Sequence, residues 1–257
     1  MHESLNLSKA LESCELRIRQ VARLLAERGW AEANGGNLSF RLDRAFNLEG
    51  EKRALSAAVP ELDGQALILT TAGSRMRDLA DNPSDNLCLV KITDKGQAYI
   101  PQCPSGNPTS ELPSHLAVHA VLSNSRPDDR VFLHTHPTFL IALTHLIGDN
   151  ALLVSTLIRM FPEASLLLHN NLEILDYLTP GSDELGKATA QAVHKVSAVI
   201  WRGHGMVAVG KGLDEAFDII ETAEKAARVA LLLGEELHHS GLSTDQLNNL
   251  YKAFEQP

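Results

Sequence analysis

Two histidines at the end of a short apolar run restrict the fold more than any other stretch. They are His134 and His136, in His134-Thr135-His136, and they follow Val131, Phe132 and Leu133. The apolar run reads as a buried strand, and residues two apart on a strand project to the same face. Both imidazoles can therefore converge on one point. A catalytic zinc commonly takes three protein ligands and leaves a position open, so the chain should supply a further one. The best candidate is His204. It follows Ala198 to Trp201, a second apolar run ending near a histidine, and it is flanked by Gly203 and Gly205. Glycine lets one backbone approach another closely. A strand-end histidine pair standing alone is commonly ordinary structure; the third histidine gives the set its chemical meaning.

The remaining pattern places these runs in an α/β chain. Residues 8 to 29 show helical spacing through Leu11, Cys14, Ile18, Val21, Leu24 and Leu25, with Gly29 as a stop. Strands are predicted at 38–42, 66–69, 87–92 and 98–100, the last two joined through Asp94-Lys95-Gly96 as a hairpin. A helix is predicted from about Glu111 to Leu122, with Pro113 in its tolerant first turn, and another from Thr138 to Ile147. Residues 150 to 178 are short apolar runs without a clear period. Ser182 is placed to cap a helix, Leu213 to Leu233 is a long amphipathic helix, and Ser243 to Gln246 reads as a capping box. The charged stretch 43–63 has no clean period and is expected to be a surface excursion. No repeat or composition break divides residues 1–257, so one domain with a mixed or largely antiparallel sheet and flanking helices is the economical reading.

Charge and cysteine usage narrow the function classes. The net charge of −9 gives no nucleic-acid footprint. Cys14, Cys88 and Cys103 form an odd, sparse set without CxxC spacing, which predicts no disulfide framework and a cytoplasmic setting. The first residues carry no basic or apolar signal region, and no apolar run approaches a membrane span.

Beside a three-histidine metal, Glu111 in Thr109-Ser110-Glu111 becomes the natural general base. A metal polarises a bound carbonyl and acidifies the adjacent C–H, and a poised carboxylate takes the proton. Three loops of small polar residues offer donors without bulk, as an anion requires: Asn34 to Asn37, Thr70 to Gly73, and Thr109-Ser110.

The motifs Asn34-Gly35-Gly36-Asn37-Leu38-Ser39, Thr70-Thr71-Ala72-Gly73, Pro108 to Pro113, His134-Thr135-His136 with Ile141 to Thr144, and Pro180 to Glu184 with His204-Gly205 occur in a fixed order. That order resembles the class II aldolases of the adducin-like family over about residues 20 to 235. The resemblance implies a single α/β domain whose central, mainly antiparallel sheet is sandwiched between helical layers. It implies one zinc ion per subunit on His134, His136 and His204, and retro-aldol cleavage of a sugar phosphate to dihydroxyacetone phosphate and an aldehyde. Glu111 would exchange the proton. Gly36, Asn37, Thr71, Gly73 and Ser110 would line the phosphate site, and the Asn34 amide would help hold the enolised substrate. Glu163 would reach the aldehyde half from a neighbouring subunit of a homotetramer. His115 and His119, one and two turns beyond Glu111, are expected to be structural or supporting. Rival readings are an aldolase of the fuculose- or ribulose-phosphate type or a sugar-phosphate 4-epimerase of the same fold, a non-catalytic adducin-like scaffold, and a metal-assisted hydrolase.

Overall fold

Apolar runs bounded by turns become strands here, and the longer periodic stretches between them become helices. The computed structural model describes residues 8, 10, 11, 14–104 and 106–254. One sheet contains β1 (Asn37–Arg41), β2 (Arg53–Ala54), β3 (Ala66–Thr70), β4 (Leu87–Thr93), β5 (Ala98–Gln102), β6 (Val131–Thr135), β7 (Leu172–Leu175), β8 (Ala198–Trp201) and β9 (Gly205–Gly210). Their order across the sheet is β2-β5-β4-β3-β1-β6-β9-β8-β7. Neighbouring strands run antiparallel, except for the parallel pair β7 and β8. Every residue of β3 and of β6 is buried, as expected for central strands covered on both faces.

The helices are α1 (Glu15–Glu27), α2 (Met76–Asp81), α3 (Pro83–Asn86), α4 (Leu112–Ser125), α5 (Thr138–Leu146), α6 (Asn150–Arg159), α7 (Pro162–Leu168), α8 (Asp183–Val193), α9 (Leu213–Leu233) and α10 (Thr244–Phe254). On one sheet face, Leu38, Ile68, Leu133 and Ala208 pack with Ile18 and Leu25 of α1, Leu140 of α5, Leu157 of α6 and Ile220 of α9. On the other, Phe132, Val199 and Val207 pack with Val118 and Leu122 of α4 and with Leu185 and Val193 of α8. Leu67, Leu69 and Val90 extend that second layer beneath Leu112 and Leu116 of α4. The result is a mixed α/β domain with its central sheet between two helical layers, as the sequence predicts. Among the described residues no helix is long and apolar enough to cross a membrane.

The caps follow their sequence signals. The Ser182 hydroxyl accepts from the Leu185 N–H at the start of α8. At α10, Ser243 Oγ accepts from the Gln246 N–H while Gln246 Oε1 accepts from the Ser243 N–H, a reciprocal capping box. The buried Glu224 of α9 caps α5: its two carboxylate oxygens accept the Phe139 and Leu140 N–H groups at 3.0 and 2.8 Å. This fixes the turn that follows His136.

Three expectations change. The stretch 43–63 is largely exposed, as a surface excursion would be, but it is tied to the sheet and the core. It supplies edge strand β2, paired with β5, and it buries Phe46, Leu48 and Leu62. Its mixture of charge and isolated apolar residues hides this, because single inward anchors on an irregular path have no period. The unassigned runs 150–178 become α6, α7 and β7; Asp149 caps α6 by accepting from the Leu152 N–H. Cys88 and Cys103 are bonded in a disulfide. The β4–β5 register pairs Leu89 with Gln102, which sets the two cysteines opposite each other with Cα atoms 4.3 Å apart. Separation along the chain gives no sign of that cross-strand meeting. The start of the predicted first helix at residues 9, 12 and 13, and the N-terminal stretch read for a signal, lie outside the described residues.

Candidate active site

The site forms where three strand ends meet. The register pairs Asn37 of β1 with His134 of β6, and His134 with Val207 of β9. His134 therefore lies at the C-terminal end of β6 with a strand on each side, fully buried. His136 sits one residue past the strand. Its N–H donates to the Trp30 carbonyl at 2.8 Å, and the Thr135 hydroxyl donates to the same oxygen. Trp30 follows the Gly29 stop of α1, so the end of that helix pins the histidine turn. His204 occupies the tight turn between β8 and β9.

The three histidines offer ligating atoms that all lie within 4.8 Å of one another. For two of them the far nitrogens explain which atoms face inward, whereas His204 Nδ1 is buried without a hydrogen-bond partner among the described residues. His134 Nδ1 donates to the Met206 carbonyl at 3.0 Å, and His136 Nδ1 donates to Glu32 Oε1 at 2.8 Å. Each bond puts the ring proton on Nδ1 and leaves the Nε2 lone pair free. The 3.2 Å approach of His134 Nε2 to His136 Nε2 is then two facing lone pairs, an arrangement that favours a cation between them. Burial pushes His134 down to about 3. Burial, with the neighbouring His134, brings His204 to about 4. Both are neutral near pH 7 and available as ligands. The donor set therefore fits a divalent metal ion. Trp201, read from sequence as core, is buried and packs behind two of the histidines, its ring centroid 4.5 Å from that of His134 and 5.2 Å from that of His204.

Glu111 occupies the N-cap position of α4, yet its side chain makes no cap. It turns into the site, with Oε2 3.8 Å from His134 Nε2 and Oε1 3.8 Å from His204 Nε2. The buried Asn37 donates from Nδ2 to Glu111 Oε2 at 3.0 Å, and its second N–H remains for a ligand. These groups line a 320 Å³ pocket together with Asn34, Gly36, Thr71, Gly73 and Ser110. The loops carrying the last three are zipped together: Thr109 N–H donates to the Thr70 carbonyl, and Ala72 N–H donates to that of Asn107. Thr71 turns both its N–H and its hydroxyl toward the Asn86 carbonyl, so its hydroxyl must rotate to donate to a ligand.

Thus ten of the eleven residues singled out from sequence meet in one pocket. Glu163 does not. It lies in the first turn of α7, in a separate groove with Trp30, Phe161, Lys225 and Arg228. Sequence reasoning missed Glu32, because a lone acidic residue before a turn carries no signal of its own.

Gly205 tests this packing. A Cβ there would collide with the Thr135 carbonyl oxygen and lie 3.1 Å from His134 Cε1 and 3.0 Å from His136 Cδ2. We expect Gly205→Ala to weaken divalent-metal binding at the three histidines by on the order of tenfold or more, the scale of a disturbed ligand orientation. Competition with a chromophoric chelator measures it. Wild-type affinity in the folded variant would show that the close approach is not required.

Comparison with known proteins agrees with this architecture. The family described as Class II Aldolase and Adducin N-terminal domain matches residues 17–231. A rhamnulose-1-phosphate aldolase of Enterobacter sp. (strain 638) is 39% identical over 215 residues, covering 79% of this chain and 78% of that protein. The crystal structure of a sugar-phosphate aldolase from Thermotoga maritima superposes with a TM-score of 0.78 at 33% identity, covering 87% of this chain and 95% of that one. An L-fuculose-1-phosphate aldolase from Thermus thermophilus shares the fold, with a TM-score of 0.60 at 22% identity over 90% of this chain and all of that one. The family match spans most of the chain and the sequence relatives pass one third identity, so the chain belongs to the class II aldolase and adducin family.

Proposed function

We propose that this class II aldolase is zinc-dependent and cleaves L-rhamnulose 1-phosphate reversibly to dihydroxyacetone phosphate and L-lactaldehyde. The observation that carries the reading is the convergence of His134, His136 and His204 beside a buried carboxylate. The identity with rhamnulose-1-phosphate aldolases supports the substrate. The order of motifs in this sequence matches the rhamnulose-phosphate type, although the loop after Thr70 reads Thr-Ala-Gly-Ser where that type has Gly-Ser-Gly-Lys. Intact metal ligands and base argue against a scaffold without activity.

The three histidines would hold one zinc per subunit. Bound there, the ion supplies Lewis-acid polarisation of the substrate carbonyl. Glu111 moves the proton at the adjacent carbon through its carboxylate oxygens. Small polar loops around Gly36, Asn37, Thr71, Gly73 and Ser110 receive the phosphate with N–H and hydroxyl donors, and the Asn34 amide steadies the oxygen that gains charge. Burial of Glu111 and His134 limits competing water around the base. Glu163 acts on the aldehyde oxygen across a subunit interface of a homotetramer, consistent with its absence from the pocket of its own chain. A phosphorylated sugar is retained where it is made, so a cytoplasmic setting rests on the substrate. The cysteine count no longer supports it, since Cys88 and Cys103 are bonded.

A coupled assay of dihydroxyacetone phosphate release over a panel of ketose 1-phosphates tests the reading. L-rhamnulose 1-phosphate should give the highest kcat/KM. A higher value for fuculose or ribulose phosphates would reassign the substrate, and no release from any of them would remove the aldolase activity.

Glu111→Gln should lower turnover by about a hundredfold or more, the usual scale for loss of a general base, with metal content unchanged. Glu163→Ala should impair cleavage far more than proton exchange on dihydroxyacetone phosphate. Mixed oligomers of the two variants should regain activity, because some sites then receive an intact residue from each chain. Hetero-oligomers that form but stay inactive would return Glu163 to its own subunit or remove it from the site.

A further inference from the structure

Glu111, His115 and His119 are spaced four residues apart from the N-cap of α4 onward, so they share one helix face. That face looks onto Asn37 and Ser39, which project together from β1. The five side chains are joined end to end. Asn37 Nδ2 meets Glu111 Oε2 at 3.0 Å, and Asn37 Oδ1 meets His115 Nε2 at 2.7 Å. His115 Nδ1 meets Ser39 Oγ at 2.7 Å, and Ser39 Oγ meets His119 Nε2 at 2.8 Å. Ser39, His115 and His119 are completely buried. The mechanism above assigns none of these three a task.

Hydrogen placement along the chain has one consistent solution. An ionised carboxylate only accepts, so the Asn37 amide must turn its NH₂ to Glu111 and its carbonyl oxygen to His115. His115 Nε2 must then carry the ring proton and donate. Its Nδ1, a bare lone pair, must accept from the Ser39 hydroxyl. Ser39 has spent its one proton and must accept from His119 Nε2. That leaves His119 Nδ1 as a lone pair, and this nitrogen is the one with no hydrogen-bond partner among the described residues. An unpaired acceptor is tolerated in a core more readily than an unpaired N–H. Both rings must be neutral for this pattern. Burial holds His115 well below its ordinary value and brings His119 down to about 3. Each donor therefore points toward Glu111, and bonds aligned in this way polarise one another.

We propose that His119, Ser39 and His115 form a one-way hydrogen-bond chain that fixes the Asn37 amide and, through it, the rotation of the Glu111 carboxylate. His115 is thereby a positioning residue of the proton transfer. With Oε2 tied to Asn37, Oε1 is the oxygen left to take the proton. The effect on rate rests on the aldolase reading above; the effect on Glu111 geometry does not.

The test is solvent-proton exchange on dihydroxyacetone phosphate, followed by NMR in deuterated buffer with the zinc-loaded enzyme. His115→Phe keeps a ring against Phe132, whose centroid lies 4.1 Å away, but cannot donate to Asn37. Its exchange kcat should fall about tenfold to a hundredfold, the scale of a misplaced reacting group, by clearly more than KM rises through the disturbed Asn37, and with metal content equal to wild type. His115→Gln can still donate to Asn37 and should recover most of the loss. A merely structural histidine would not give that split between kcat and KM or that rescue. Wild-type exchange in His115→Phe, or a glutamine variant no faster than the phenylalanine variant, overturns the proposal. Should His115→Phe fail to fold, Ser39→Ala decides: it breaks the second link and must also lower kcat. If the wild-type enzyme itself does not exchange, the aldolase reading falls. Crystal structures then judge the chain, because Glu111 must change its rotation in the Ser39 or His115 variant, and an unmoved carboxylate overturns it.

Discussion

The register of three neighbouring antiparallel strands is the constraint on which the site depends. Asn37 of β1, His134 of β6 and Val207 of β9 lie side by side. A slip of one residue in β6 would turn His134 and Phe132 from the α4 face to the opposite one. It would also bring Leu133 into a polar cluster. Burial on both faces of β6 makes such a slip costly, since each apolar side chain would lose its partners. The same register aligns Asn37 and Ser39 toward α4 while Leu38 enters the other core. One strand pairing thus places the His134 imidazole, the Asn37 amide and the Ser39 hydroxyl together.

Around that frame the protein accepts the cost of burying polar groups and offsets it with hydrogen bonds. His134 is held by the Met206 carbonyl, Asn37 by Glu111 and His115, and Ser39 by two imidazoles. An unpaired buried polar atom costs about 1–3 kcal/mol, so the network allows few alternative rotamers. Such rigidity suits a proton transfer, where the base must already be aimed when substrate arrives. Glu32 differs: its side chain is mostly exposed, and it steadies His136 from the rim of the pocket.

Much of this was legible in the sequence because the signals were local. Strand-end histidines, glycines beside them, and Glu111 before a helix each point to one place, and the sheet brings those places together. The long helix α9 and the box at Ser243 and Gln246 follow equally local rules. What escaped depends on contacts between distant segments. Cys88 and Cys103 meet only through the β4–β5 register. Phe46 and Leu48 anchor an irregular segment whose charges suggest solvent. In β1, Asn37 and Ser39 alternate with Leu38 and Phe40, and a one-sided pattern would send the polar pair outward. Their burial becomes intelligible only once His115 and His119 are seen to face them. The Glu111, His115 and His119 spacing was visible in the chain, but its partner strand was not.

The central claim is that His134, His136 and His204 form one zinc centre beside Glu111. An anomalous difference map collected at the zinc edge from crystals of the zinc-loaded protein tests it most directly. The account predicts a single strong peak per subunit at about 2.0–2.1 Å from an Nε2 atom of each of the three histidines, the usual zinc–imidazole distance. A peak ligated by only one of them, or no peak in this pocket, would contradict it.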